Sequence, residues 1–173
     1  MRAPHEDDAE TLVRELNNYN ISRNTGRIPF PYGLEDAVKF LQHSGKMNPP
    51  SNTWAITAKP DVASLMGVIS LEYDPENDDA ELGYWLAQSV WGKGFATEAA
   101  LAVVAFAFTD LQLKTLVACF HNDNPVSGRI LKGLGFVETG ACTSFSRAQN
   151  AEVAVTNLRL GSAGWAAKKG RNA

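Results

Sequence analysis

Three segments follow one another almost without interruption near the middle of the chain, and they constrain the fold more than any other stretch. Glu81-Leu82-Gly83-Tyr84-Trp85-Leu86 has the composition of a short buried strand, Ser89-Val90-Trp91-Gly92-Lys93-Gly94 is a glycine-bearing turn, and Ala96 to Phe108 is an almost wholly apolar run. That run is too long for a strand and reads as a helix, and its apolar character all round predicts burial on every side. A strand, a tight turn and a helix in this order aim backbone N–H groups and the positive end of a helix dipole at the turn, which makes it an anion site. Gly92 and Gly94 carry no Cβ, so the backbone there is free to approach a ligand closely. A phosphorylated ligand is therefore expected at this turn. It is not held by the P-loop pattern, because no Lys-Ser or Lys-Thr follows a glycine at the required spacing, nor by G-x-G-x-x-G, because Gly94 is followed by Phe95, Ala96 and Thr97. By itself, a bare G-x-G is equally compatible with a tight turn and nothing more.

The remainder of the chain fits a single domain over residues 1–160. Asp7 to Tyr19 places Leu12, Val13, Leu16 and Tyr19 at helical spacing, and Leu34 to Ser44 predicts a second helix. Between them Gly26-Arg-Ile-Pro-Phe-Pro-Tyr-Gly33 is a proline-punctuated loop. Its large side chains either pack onto the body or, as Phe30 and Tyr32, wall a substrate cleft. Pro49-Pro50-Ser51-Asn52 predicts a turn. Thr53 to Lys59 and Leu65 to Tyr73, joined at Pro60-Asp61, predict an antiparallel hairpin, and Asp74 to Asp79 a solvated acidic turn with no metal expected. Thr115 to Phe120 reads as a strand covered on both faces. Asn124-Pro125 starts a short helix, with Asn124 as N-cap and proline at the first helical position, and Gly135 stops it. Phe136 opens a further strand, and Cys142 to Arg147 with Glu152 to Leu160 predict a closing hairpin. Residues 161–173 are expected to form a loosely ordered tail. Hairpins combined with a strand–helix–strand crossover argue for the α/β class, of α+β mixed type, with a mixed sheet.

A net charge of −3 leaves no electrostatic footprint for nucleic acid. No apolar run is long enough to span a membrane, and Met-Arg-Ala-Pro-His-Glu-Asp-Asp has no apolar core of the kind a secretion signal carries. A cytoplasmic monomer or homodimer is the expectation, with Cys119 and Cys142 as reduced thiols outside any metal or redox spacing.

Trp91-Gly92-Lys93-Gly94-Phe95-Ala96-Thr97-Glu98-Ala99 after Leu82-Gly83-Tyr84-Trp85-Leu86 closely resembles the acetyl-CoA pyrophosphate loop of the GNAT superfamily of N-acetyltransferases, in the branch that contains the ribosomal-protein N-terminal acetyltransferases. Gly94 and Ala96 match that family's [Q/R]-x-x-G-x-[G/A] pattern, with Trp91 where Gln or Arg is commonest. Asn124-Pro-Val-Ser127-Gly-Arg-Ile-Leu-Lys-Gly-Leu-Gly135-Phe136 resembles the family's helix next to CoA, and the motifs together span about residues 26 to 160. The resemblance implies a central, mostly antiparallel twisted sheet flanked by helices, with a first strand expected to be truncated, because Arg2-Ala3-Pro4 stands close to the end of that strand. It also implies acetyl-CoA as co-substrate, without a metal, and direct transfer in a ternary complex to a primary amine of a small molecule or peptide N-terminus. The backbone of Trp91, Gly92, Lys93, Gly94, Phe95, Ala96 and Thr97 would cradle the pyrophosphate, with Lys93 and Arg129 as charge partners and Asn124 as a further CoA contact. The tyrosine that many members use as acid is replaced by Leu131. A protein that keeps the fold and binds acyl-CoA as a sensor, without chemistry, is the alternative.

Direct transfer requires a neutral amine and a departing thiolate. An α-amine of pKa about 7.8 is roughly one-seventh neutral at pH 7, whereas a lysine amine near 10.4 is neutral in about one molecule in 2,500. A thiol of pKa about 8.5 leaves with modest help, so a base matters more than an acid. Glu81, on the strand feeding the loop and on one face with Gly83 and Trp85, is the candidate base, directly or through water. Trp85 joins Phe30 and Tyr32 as a candidate wall of the substrate cleft. Ser127, one turn before Leu131, is by the same resemblance the candidate donor to the leaving sulfur. An acyl-enzyme on Cys119 is disfavoured, because an apolar strand opposes a thiolate.

Overall fold

The computed structural model describes residues 1–44, 51–58 and 64–170. In chain order these form α1 (Ala9–Leu16), α2 (Tyr19–Ser22), α3 (Leu34–Ser44), β1 (Asn52–Thr57), β2 (Leu65–Asp74), β3 (Asp79–Leu86), α4 (Phe95–Thr109), β4 (Thr115–His121), α5 (Pro125–Leu134), β5 (Val137–Ser146), β6 (Ala151–Gly161) and α6 (Ser162–Lys169). The six strands make one sheet in the order β1-β2-β3-β4-β6-β5. Every neighbouring pair is antiparallel except β3 and β4, which the crossover through α4 makes parallel. On the outer edge of β1, Arg2 and Ala55 exchange backbone hydrogen bonds of 3.1 and 2.8 Å, a single bridge where a further strand would run.

Alternation along the strands feeds two cores. Ile69, Leu71, Leu82 and Leu116 meet Val103, Val104 and Leu131 on one face. Ala55, Leu65 and Val68 meet Leu12, Leu16, Ile21 and Ala37 on the other. Over residues 115–120 in β4, Leu116 and Ala118 are buried while Val117 is only partly covered and Cys119 is exposed, so one face of this stretch is fully covered rather than both. Helix α4 is likewise buried on a single face, through Ala99, Ala100, Val103, Val104 and Ala107, while Leu101 and Ala102 face outward. Alanine carries so little apolar surface that it can face water at small cost, and the uniform composition hid this polarity.

Other expectations are revised. The first helix is divided, because Asn18 caps α2 by accepting from Asn20 N–H at 3.0 Å, and Asn17 leaves the helix to bind the loop. The strand expected to open at Phe136 and the one expected over Cys142 to Arg147 are a single long strand, β5, which begins one residue after Phe136 and ends one residue before Arg147, with an irregularity between Glu138 and Gly140. The expected loose tail is helix α6 over Ser162–Lys169, anchored by Trp165, which is 5% exposed and packs near Phe108 at 6.3 Å between ring centroids. One aromatic side chain buries enough apolar surface to order a short polar helix. The turns expected at Pro49-Pro50 and Pro60-Asp61, and the end of the strand at Lys59, lie outside the described residues. Among the described residues no helix is long and apolar enough to cross a membrane.

Candidate active site

Strands β3 and β4 pair only at Ala80–Leu116 and Glu81–Val117, and beyond these two positions they part. The resulting slit opens into a cleft of about 1120 Å³ that runs from the Gly92–Thr97 turn, between the two strands, to the face carrying Glu72, Glu81 and Tyr32.

At one end stands the start of α4. Its N-cap, Gly94, has φ 85° and supplies no capping side chain, and its carbonyl accepts from Glu98 N–H at 3.0 Å. The N–H groups of Phe95, Ala96 and Thr97 belong to a first helical turn and have no partner within the helix. Gly92 has φ 74°, and a Cβ placed on either glycine meets nothing within 4 Å. Positive φ is what demands glycine here, and the space beside both is open to a ligand. These observations fit an anionic group such as a pyrophosphate. Trp91 folds back so that its indole N–H donates to Leu86 O at 2.9 Å, leaving the residue 45% exposed. Asn124 caps α5 by accepting from Ser127 N–H at 3.4 Å, and Asn124 and Arg129 both line the cleft. Lys93 does not line it, because its ammonium donates to Ser89 O at 3.0 Å.

At the other end Glu81 stands directly across from Glu72 on the neighbouring strand. Two facing carboxylates repel, and Arg27 relieves this by pairing with both: closely with Glu72, and with Glu81 at 3.4 Å. The pairing with Glu72 in turn raises the guanidinium pKa above its ordinary value. Arg27 is placed by the β5–β6 turn, where Arg147 N–H donates to Gly26 O at 3.0 Å and the Arg147 guanidinium to Arg27 O at 3.2 Å. Cys119 approaches Glu81 Oε1 at 3.9 Å; although the residue is exposed toward the cleft, desolvation of its sulfur by the surrounding walls together with that carboxylate pushes its thiol up to about 11, so it is no nucleophile at neutral pH. Tyr32 is 5% exposed and is clamped by Asn17, whose side chain accepts from Tyr32 N–H at 3.0 Å and donates to Tyr32 O at 2.6 Å. Burial pushes its hydroxyl up to about 12. Tyr32 and Trp85 line the cleft, whereas Phe30 does not; it stacks edge-on against Tyr19, with ring centroids 5.2 Å apart.

Between the two ends lies a contact the sequence reading did not single out. The Tyr84 and Ser127 hydroxyl oxygens are 3.0 Å apart. Tyr84 alternates to the opposite face of β3 from Glu81, so the carboxylate and the hydroxyl pair address the slit from opposite sides of one strand. Buried His121 is a second unanticipated lining residue, with burial lowering its imidazolium pKa.

Residues 1–137 match the model of the acetyltransferase (GNAT) domain. The chain belongs to this family. A GNAT relative, the uncharacterized N-acetyltransferase p20 of Bacillus licheniformis, is 27% identical over 83% of this chain and 81% of its own. The ribosomal-protein-serine acetyltransferase of Escherichia coli strain K12 is 35% identical over 44% of this chain and 43% of its own. Among solved GNAT-fold structures, the microcin C7 self-immunity acetyltransferase MccE in complex with acetyl-CoA and AMP superposes with a TM-score of 0.76, at 23% identity, covering 92% of this chain and 89% of that one. Spermidine N-acetyltransferase of Vibrio cholerae in complex with CoA and spermine gives 0.77, at 20% identity, over 95% and 96%. At these identities the structural likeness is one of fold. The protein is an acetyl-CoA-dependent GNAT N-acetyltransferase with a six-stranded, mostly antiparallel sheet.

Proposed function

We propose that the protein transfers the acetyl group of acetyl-CoA directly to a primary amine while both are bound. The observation that carries this reading is the continuity of the cleft: one opening joins the uncapped start of α4 to the carboxylate of Glu81. The pyrophosphate is held by the Gly92–Thr97 backbone with Arg129 nearby, and the thioester lies in the slit. The ammonium approaches from the Glu81 side and gives one proton to that carboxylate, directly or through water, and the nitrogen releases its second surplus proton to solvent once it has bonded to the acetyl carbon. Nitrogen bonds to the acetyl carbon, the C–S electron pair goes to sulfur, and the thiolate leaves stabilised by a hydrogen bond from Ser127. It then takes its proton from solvent. A ternary complex needs no residue to carry the acetyl group, in keeping with the raised Cys119 thiol.

The acceptor is sought among protein N-termini, polyamines, amino acids and aminoglycosides. The names of the relatives support testing the first two, because one acts on a serine of ribosomal protein and another was solved with spermine. CoA release is measured with an N-terminal-serine peptide, spermidine, free amino acids and an aminoglycoside. Turnover of one class is expected, and Glu81→Gln lowers kcat/KM while acetyl-CoA affinity is kept. For an α-amine the variant recovers part of its activity above about pH 8, where the neutral amine becomes abundant, and for a lysine-like amine about two pH units later. If Glu81→Gln matches the wild type at every pH, the carboxylate is structural. Acetyl-CoA binding without turnover of any amine would make the protein a sensor instead.

A further inference from the structure

We infer that Tyr84 is a positioning residue for the acetyl transfer: its hydroxyl holds the Ser127 hydroxyl so that the Ser127 hydrogen points at the departing sulfur. This rests on the reading of Ser127 as donor to that sulfur. The Tyr84 oxygen lies 3.0 Å from Ser127 Oγ and 3.5 Å from Ser127 O, so the hydroxyl is the better-placed acceptor. A serine hydroxyl has one hydrogen and two acceptor sites, and the tyrosine hydroxyl likewise has one hydrogen to give. When Tyr84 donates to Ser127 Oγ, the serine hydrogen is turned away from Tyr84 and is free to enter the cleft that both residues line. Without that partner a helical serine turns back to a nearby backbone carbonyl, and the hydrogen is lost to the reaction. Burial raises the Tyr84 hydroxyl above its ordinary value, so it keeps its hydrogen at neutral pH.

The backbone is built for this approach. Asn124 fixes the first turn of α5 through Ser127 N–H, and Gly128 lets that turn lie against Phe120, whose ring a Cβ would meet at 2.7 Å. No proton leaves Tyr84 during the reaction. Its contribution is orientation, which separates it from a tyrosine acting as the acid itself.

The test is a double-mutant cycle with Tyr84→Phe and Ser127→Ala. It uses the best acceptor of the panel above, with acetyl-CoA affinity measured by calorimetry and the melting midpoint recorded for each variant. Tyr84→Phe is expected to lower kcat about tenfold, the worth of one neutral hydrogen bond, with acetyl-CoA affinity unchanged and the midpoint lowered by no more than a few degrees. In the Ser127→Ala background the same change should alter kcat by less than about twofold, because there is no hydroxyl left to orient. An equal loss in both backgrounds, wild-type kcat in Tyr84→Phe, or a loss that follows weakened acetyl-CoA binding and a larger fall in midpoint overturns the inference. If Ser127→Ala alone leaves kcat unchanged, or no amine is turned over, the underlying reading fails and the inference with it.

Discussion

Asp8 is 3% exposed and receives two hydrogen bonds from the Arg2 guanidinium, at 2.8 and 2.6 Å, and one from His5 N–H at 2.8 Å. Burial alone would push its carboxyl up, but Arg2 and the backbone amide outweigh it and hold the group below its ordinary value. A carboxylate depressed in the folded state contributes stability above its unfolded pKa of about 3.9, and that contribution is lost as pH falls through the folded value. Asp8→Asn is therefore expected to cost about 1–3 kcal/mol at neutral pH, with the gap to wild type narrowing below about pH 4. Urea unfolding from pH 3 to 7 measures it, and a gap independent of pH would refute the ion-pair account. Single residues differed in how far the sequence exposed them. Gly92 and Gly94 were legible, since two residues without a Cβ in a turn between strand and helix let the backbone come close to an anion. Glu81 was legible as a carboxylate on the strand leading to that turn. Tyr84 was not, because its partner Ser127 lies 43 positions away and nothing local brings the two hydroxyls together. Lys93 and Phe30 have the chemistry expected of a site, yet their side chains found partners outside the cleft.

Helix α5 shows how an element can be set by one missing side chain. Its N-cap, first-position proline and left-handed stop at Gly135 (φ 104°) define its length from local signals alone. Its depth against β4 depends on Gly128, which no local rule marks as special. Gly128→Ala should press a methyl group into the Phe120 ring and cost about 1–3 kcal/mol through overpacking, although alanine is the better helix former. It should also lower kcat by displacing Ser127. A variant as stable and active as wild type, by thermal melting and CoA release, would show that the ring moves aside freely. Hairpins and helices were read from periodicity, because those signals are local. The order β4-β6-β5 was not readable, since it joins segments far apart in sequence through burial and pairing that only the assembled sheet supplies. The misreading of the last segment has a similar origin: polar composition around Trp165 concealed an anchor whose partner, Phe108, sits on α4.

At the scale of the molecule, the sheet is two three-stranded halves, β1-β2-β3 and β4-β6-β5, stitched by two register positions and bridged on one face by α4 and α5. Mechanically this is a seam, and a short one. Beyond Glu81 on β3 and Val117 on β4, alternate backbone groups face the slit with no strand across from them, in the middle of a sheet rather than at its rim. Such groups should exchange their amide hydrogens quickly. A ligand seated in the slit braces one half against the other, so acetyl-CoA should slow exchange selectively at those alternate amides and raise the melting midpoint by mass action. Hydrogen exchange followed residue by residue with and without acetyl-CoA resolves this, and protection spread evenly over the sheet would argue against a seam. On this account the halves would owe part of their rigidity to the molecule they process: each departure of CoA would loosen the joint between them, and each arrival of acetyl-CoA would tighten it again.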